Sequence, residues 1–370
     1  VPNATDPPTD AAAPAGEGHA VVQAAVAELV ADQCDAGRHL GVQVHARLAG
    51  RTVVDVAAGW LDPGRRRPVR RDSLFCCFSV TKAVAATVVW RLLAEGRLAV
   101  DRPVADVWPG FMAATTVGEL LSHQAGLHRV PPDLDTAFLT GDRAGLAWVA
   151  GLEPAWPPGS ASGYHTLTYG WLVRGLVEAV TGRPFPRVMA PDLFVGLPAD
   201  ETGRAAEVVE AASARGLAWV ADRDHPALEA MPPSFVPDWN DPAVRGACQP
   251  AFSGWASASA LATYVDGLAP AVFEPAIVPL VTGVDRCLEL PVRRGLGVEL
   301  GGRFDGGAVG ALGPRERAFG HGGHGGQVVV RDPDAELTIA VLVNLLAEPE
   351  EAADRTTTIC ELIRGLCDAY

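Results

Sequence analysis

Lysine is almost missing from this chain. Thirty of its 370 residues are Lys or Arg, and all but Lys82 are arginine. Tyrosine, with four residues, and methionine, with three, are also scarce. No run of about eighteen uncharged apolar residues occurs, which argues against a transmembrane helix and predicts no membrane insertion. Positive charge is in deficit: the net charge is −14 and the pI is near 5.1. A nucleic-acid partner or an anionic membrane surface is therefore not expected. The one basic knot, GRRRPVRR at 64–71, reads as a solvated loop. Seven cysteines make an odd count without the spacing of a disulfide framework, which favours reduced thiols and a cytoplasmic home. The opening VPNATDPPTDAAAPAGEGH has neither a basic start nor an apolar stretch. It reads as a disordered tail over 1–18 rather than a signal peptide.

What is present is apolar, at 48% of the chain. That suffices for an extensive core, and the length suggests two domains or one large one. HAVVQAAVAELVADQC at 19–34 has helical spacing. GVQVHARLAGRTVVDVAAGW at 41–60 reads as two strands broken at Ala49-Gly50, a hairpin. From about 76 to 285 the pattern is helices joined by Pro- and Gly-rich loops. Strand patterns return in GQVVVRD and AELTIAVLVNLL, and TTTICELIRGLCDAY closes as an amphipathic helix. The economical fold is α+β. An antiparallel sheet from 19–75 and 286–370 is flanked by the terminal helices, and 76–285 is inserted as a mostly helical domain.

The single lysine stands in FCCFSVTKAVAATVVWRL, three residues after Ser79. Positions i and i+3 share a helix face, so Lys82 lies one turn along from a serine near the helix start. A serine hydroxyl is a weak nucleophile until a base takes its proton. Arginine cannot be that base, whereas a buried lysine can shed its proton. Bringing lysine from about 10.4 to neutrality costs roughly 4.6 kcal/mol, within reach of full burial. A second proton-shuttling group is therefore expected. The bland alternative is a serine that caps a helix beside a solvated lysine.

Further segments weigh against the bland reading. FSVTKAVAATVV resembles the nucleophile segment of class C β-lactamase-like serine hydrolases, whose Ser-x-x-Lys motif is shared with penicillin-binding proteins. That superfamily includes family VIII carboxylesterases and lovastatin-type acyltransferases. LLSHQAGL at 120–127, WPPGSASGYHTLTYGWLVRGLVEAVTGRPF at 156–185, FSGWASASALATYV at 252–265 and AFGHGGHGGQVVVRDP at 318–333 are similar to its later segments, in order. The resemblance implies a β-lactamase/transpeptidase-like fold and an acyl-enzyme mechanism without cofactor or metal. Ser79 would be the nucleophile, Lys82 its base partner, and Tyr164 a phenolate base and leaving-group acid. The backbone N–H groups of Ser79 and His324 would form the oxyanion hole, and Thr166, His321, Gly322 and Gly323 would meet substrate. Two departures stand out. Thr166 occupies a position commonly Asn or Ser, and His321-Gly322-Gly323 replaces the Lys-Thr-Gly of true β-lactamases, which puts recognition of a β-lactam carboxylate in doubt.

The implied reaction is cleavage of a small-molecule ester or activated acyl donor, with a carboxylesterase-type hydrolase first. Transfer of the acyl group to an amine or alcohol acceptor is the runner-up. A D-aminopeptidase- or β-lactamase-like amide hydrolase and a non-catalytic ligand-binding module are the remaining alternatives. Three other patterns carry little. Gly320-x-Gly322-x-x-Gly325 lacks the βαβ setting of a dinucleotide site. His321 and His324 have no accompanying carboxylate or thiol cluster for zinc. Cys76 and Cys77 read as small buried apolar groups.

Overall fold

Apolar residues at every second position of the first hairpin and the last strands bring both ends of the chain into one sheet. The computed structural model describes residues 17–369 apart from 142, 212–213, 215–219, 221, 223 and 305–309. The tail expected over 1–18 lies outside the described residues except for its last two, which open the first helix, Glu17–Asp35. Eight strands run in the spatial order Arg51–Gly59, Gly41–Leu48, Leu337–Val343, Gln327–Asp332, Phe319–Gly323, Glu299–Leu300, Pro291–Arg294 and Val281–Val284. Every neighbouring pair is antiparallel. The first two strands turn at Ala49-Gly50, where φ is positive at both residues (47° and 74°), as a tight hairpin turn demands.

The period of two divides the side chains between two cores. Val42, Val44, Ile339, Val341, Val328 and Val330 face a layer made by Glu17–Asp35 and the closing helix Pro349–Cys367. Their alternates Ala340, Leu342 and Val329 join the core shared with the helical block. Register pairs such as Val44 with Val341 stitch the two chain ends together. The three short strands between 281 and 300 extend the sheet beyond the elements that the sequence pattern singled out.

Behind the sheet lies the helix Val80–Ala94, buried at every position from Val80 to Trp90. A helix apolar all round is a core helix. It packs on the helix Thr168–Thr181 and on the strands Phe319–Gly323 and Gln327–Asp332. The basic knot is a surface loop, with Arg66 and Arg67 on Asp62 and Arg71 on Asp55. No helix among the described residues is long and apolar enough to cross a membrane.

Ile339 is fully buried between the sheet and the terminal helices. Ile339→Ala is expected to destabilise the fold by about 2–5 kcal/mol, read as a lower denaturation midpoint in urea.

Candidate active site

Ser79 is the N-cap of the Val80–Ala94 helix, yet its side chain makes no capping bond. The hydroxyl instead accepts a hydrogen bond from Lys82 Nζ at 3.0 Å. Immediately before it, Phe78 has φ of +44°, a conformation costly for a bulky residue and found where a site over-determines the backbone. The surroundings do so. Phe75–Cys76 pairs with the strand Gly254–Ala256, Cys77 N–H donates to Gly254 O, and Gly254 N–H donates to Thr81 Oγ1. The segment at 252–265 thus cradles the turn that carries Ser79.

Lys82 is 1% exposed. Its Nζ also donates to Ala251 O at 2.9 Å and lies 4.8 Å from the centroid of the Tyr164 ring. Burial lowers the ammonium from its ordinary 10.5 to about 7; Glu299 opposes the fall and Arg294 adds to it. The solvated-lysine alternative is therefore excluded by geometry. Burial pushes the Tyr164 phenol well above its ordinary 10, and the neighbouring Ser79 hydroxyl offsets the rise only in part. The structure thus brings Ser79, Lys82 and Tyr164 together. It also disfavours a resting phenolate, because the buried ring has no compensation large enough to hold one.

Tyr164 is set in place by the segment at 120–127. Gly163 N–H donates to His123 O, His165 N–H donates to His123 Nδ1, and His165 Nε2 accepts from Leu127 N–H. Burial lowers His165 to about 3 and holds His123 well below its ordinary value, so both are neutral scaffold rings. Tyr169 packs in the helix that follows, fully buried against His123.

The strand Phe319–Gly323 and the turn after it complete the site. The His321 ring sits 6.0 Å from that of Tyr164, and the His324 ring packs edge-on against Phe78 at 5.6 Å. Burial lowers both imidazoles. The two histidines are turned to different neighbours, unlike a metal pair. Among the described residues the N–H groups of Ser79 and His324 have no backbone acceptor, and both residues line one cavity of about 440 Å³. Arg355 donates to Gly325 O and Thr356 to Gly326 O, so the closing helix fixes the turn from behind. Gly325 and Gly326 have positive φ (81° and 107°) and serve that turn.

Thr166, His321, Gly322 and Gly323 also line the cavity, together with apolar side chains that include Phe78, Met231, Phe235, Trp239, Phe252 and Leu288. Trp239 is the tryptophan that lines it, packed on Phe78 and Phe252 at 5.1 and 5.5 Å. Sequence reasoning missed these walls, and it missed Glu299, which lines the cavity and accepts from Gly322 N–H at 3.3 Å. It missed His123 as well, although LLSHQAGL contained it. Cys76 and Cys77 are buried. Burial pushes the Cys76 thiol up to about 12 and the Cys77 thiol well above its ordinary value, which makes poor nucleophiles of both.

A Cβ on Gly323 would lie 2.8 Å from Cys77 O, whereas one on Gly322 would meet nothing within 4 Å. Gly323→Ala is expected to displace the nucleophile turn and lower kcat. Gly322→Ala should fold normally and raise KM by filling the cavity. Steady-state kinetics on a p-nitrophenyl ester, with thermal melts alongside, separate the two.

A model of the family described as Beta-lactamase matches residues 22–362. The esterase/β-lactamase LipL of Mycobacterium tuberculosis (strain ATCC 25618 / H37Rv) is 30% identical over 342 residues, which cover 82% of this chain and 76% of LipL. A penicillin-binding protein homologue from Caulobacter crescentus superposes with a TM-score of 0.83 at 31% identity, covering 93% of this chain and 97% of that one. A family VIII carboxylesterase superposes at 0.81 with 27% identity and the same coverage. With its antiparallel sheet, its buried Val80–Ala94 helix and this match along almost its whole length, the chain belongs to the Beta-lactamase family.

Proposed function

We propose that this protein is a carboxylesterase that works through an acyl-enzyme on Ser79. The observation that carries the reading is the 3.0 Å contact between Ser79 Oγ and a lysine amine buried enough to approach neutrality. As a free amine, Lys82 accepts the Ser79 proton while Oγ attacks the ester carbonyl. The carbonyl oxygen takes the negative charge into the N–H groups of Ser79 and His324. A donor of this kind typically contributes about 2.7–4 kcal/mol to the transition state. Tyr164, neutral and beside Ser79 and Lys82, relays the proton from Lys82 to the departing alkoxide. Water then enters by the reverse of these steps. The apolar walls suit the acyl chain of a small-molecule ester, with Thr166 and His321 beside it.

The esterase character in the names of LipL and the family VIII neighbour favours water as acceptor over an amine or alcohol. Glu299 on the cavity wall and His321 in place of a lysine weigh against a substrate carboxylate, and so against β-lactams. The same reading puts the enzyme in the cytoplasm, supported by a set of cysteines with no disulfide among the described residues, as a reducing compartment leaves them, with no nucleic-acid or membrane partner.

Brief exposure to a p-nitrophenyl ester, followed by intact-mass measurement and peptide mapping, is expected to find the acyl group on Ser79. An adduct on Cys77, or p-nitrophenol release with Ser79→Ala, would sink the mechanism. Lys82→Arg keeps a positive charge yet is expected to lose roughly 10²–10⁴-fold in kcat. Because neutral Lys82 is the active form, kcat/KM should fall as pH drops through about 7. A flat profile from pH 8 to pH 5.5 would remove Lys82 as the base.

A further inference from the structure

Beside Tyr164, and not among the residues that line the cavity, lies a buried ion pair that neither the motifs nor the mechanism above uses. Asp285 follows the strand Val281–Val284 and Arg294 closes the strand Pro291–Arg294, the two strands of a hairpin at the far edge of the sheet. Their side chains are 0% and 2% exposed. Arg294 Nη1 donates to Asp285 Oδ2 at 2.5 Å and to Ser162 Oγ at 2.9 Å. Asp285 Oδ1 accepts three backbone N–H groups: Tyr164 at 3.1 Å, Cys287 at 2.8 Å and Leu288 at 2.7 Å. The guanidinium carbon lies 5.4 Å from the Tyr164 ring centroid.

We propose that Asp285 and Arg294 are positioning residues for Tyr164, holding its backbone and aiming a fixed positive charge at its ring. This inference rests on the reading of Tyr164 as the proton relay. Two features distinguish the pair from an ordinary structural bridge. First, it grips the residue two before Tyr164 through a hydroxyl and Tyr164 itself through its N–H, so both sides of Gly163 are fixed. Second, Arg294 Nε and Nη2 are buried without a hydrogen-bond partner among the described residues. An arrangement selected for stability alone would satisfy them, since an unpaired buried donor is costly. A partly uncompensated guanidinium under an aromatic ring is instead a source of electrostatic potential. It favours the electron-rich oxygen that Tyr164 carries in mid-transfer, and it disfavours the ammonium form of Lys82.

The charged and titratable groups around Lys82 are Glu299 and Arg294 from the sheet edge, His321 from the neighbouring strand, and Tyr164, His123 and His165 from the loops of the helical block. Removing the Arg294 charge leaves Glu299 unopposed and raises the Lys82 pKa. The acid limb of kcat/KM then moves to higher pH, with activity partly recovered in alkali.

The experiment measures kcat per active site, titrated by the p-nitrophenol burst, together with KM and the pH profile, for Ser162→Ala, Arg294→Lys, Arg294→Met and Tyr164→Phe. Ser162→Ala is expected to lose roughly tenfold in kcat and Arg294→Met roughly a hundredfold, with KM little changed. The limb should move up in Arg294→Met and stay in place in Arg294→Lys, which keeps the charge. A purely structural bridge would lower melting temperature and titratable sites while leaving kcat per site and the limb as in the parent, and that result overturns the proposal. If Arg294→Met does not fold, wild-type kcat per site in both Ser162→Ala and Arg294→Lys overturns it equally. Loss of activity in Tyr164→Phe with no effect in the others removes the inference alone. Full activity in Tyr164→Phe removes the relay reading and the inference with it.

Discussion

The structure turns on keeping one amine dry. An ammonium brought from 10.5 to about 7 represents a free-energy demand on the order of 5 kcal/mol, comparable to the whole net stability of many domains. Much of the surrounding architecture can be understood as the means of meeting it. The helix that carries Lys82 is buried on all sides, Ala251 O fixes the amine, and the Tyr164 ring closes over it. Arginine would remain charged in such a place, which accounts for the one lysine in a chain otherwise committed to arginine.

Two halves of the chain meet at that amine, and each contributes what the other lacks. The helical block supplies Ser79, Lys82 and Tyr164, which the proposed mechanism uses as nucleophile, base and relay. The sheet supplies a strand whose glycines let backbone pass close to the nucleophile turn, with Gly323 against Cys77 and Gly322 open to the cavity. The division explains why the site is both rigid and accessible. Of the polar lining groups, His321 and Glu299 stand on strands, Tyr164 and Thr166 on a braced loop and His324 on a braced turn, and apolar walls come from loops such as 231–239.

The hairpin, the terminal helices and the Ser79–Lys82 pair were legible in the sequence because each carries a local signal: alternation, helical spacing, or a residue type used once. Tyr164 was legible only through its segment, and its protonation state was not legible at all, because that depends on burial by residues far along the chain. The strands between 281 and 300 escaped notice because they are two to four residues long, too short for a period to show. Asp285 and Arg294 were invisible for another reason. An acid and an arginine nine positions apart look like ordinary surface charge among thirty basic residues, and only the fold shows that they are sealed against the loop that carries Tyr164. The cavity walls had no signal either, since Phe235 and Trp239 belong to an irregular loop.

The order of the parts along the chain has a consequence for synthesis. Ser79 and Lys82 emerge from the ribosome early, but the strand that carries His321 and the turn that carries His324 follow only after more than two hundred further residues, and the helix that braces that turn comes last. Contacts of such long sequence separation form late in folding. Until they do, Lys82 has no dry environment and stays protonated, so on the proposed mechanism the emerging polypeptide carries an unarmed serine. On that mechanism, competence to react with esters is tied to completion of the fold, a safeguard against acylation of nascent protein.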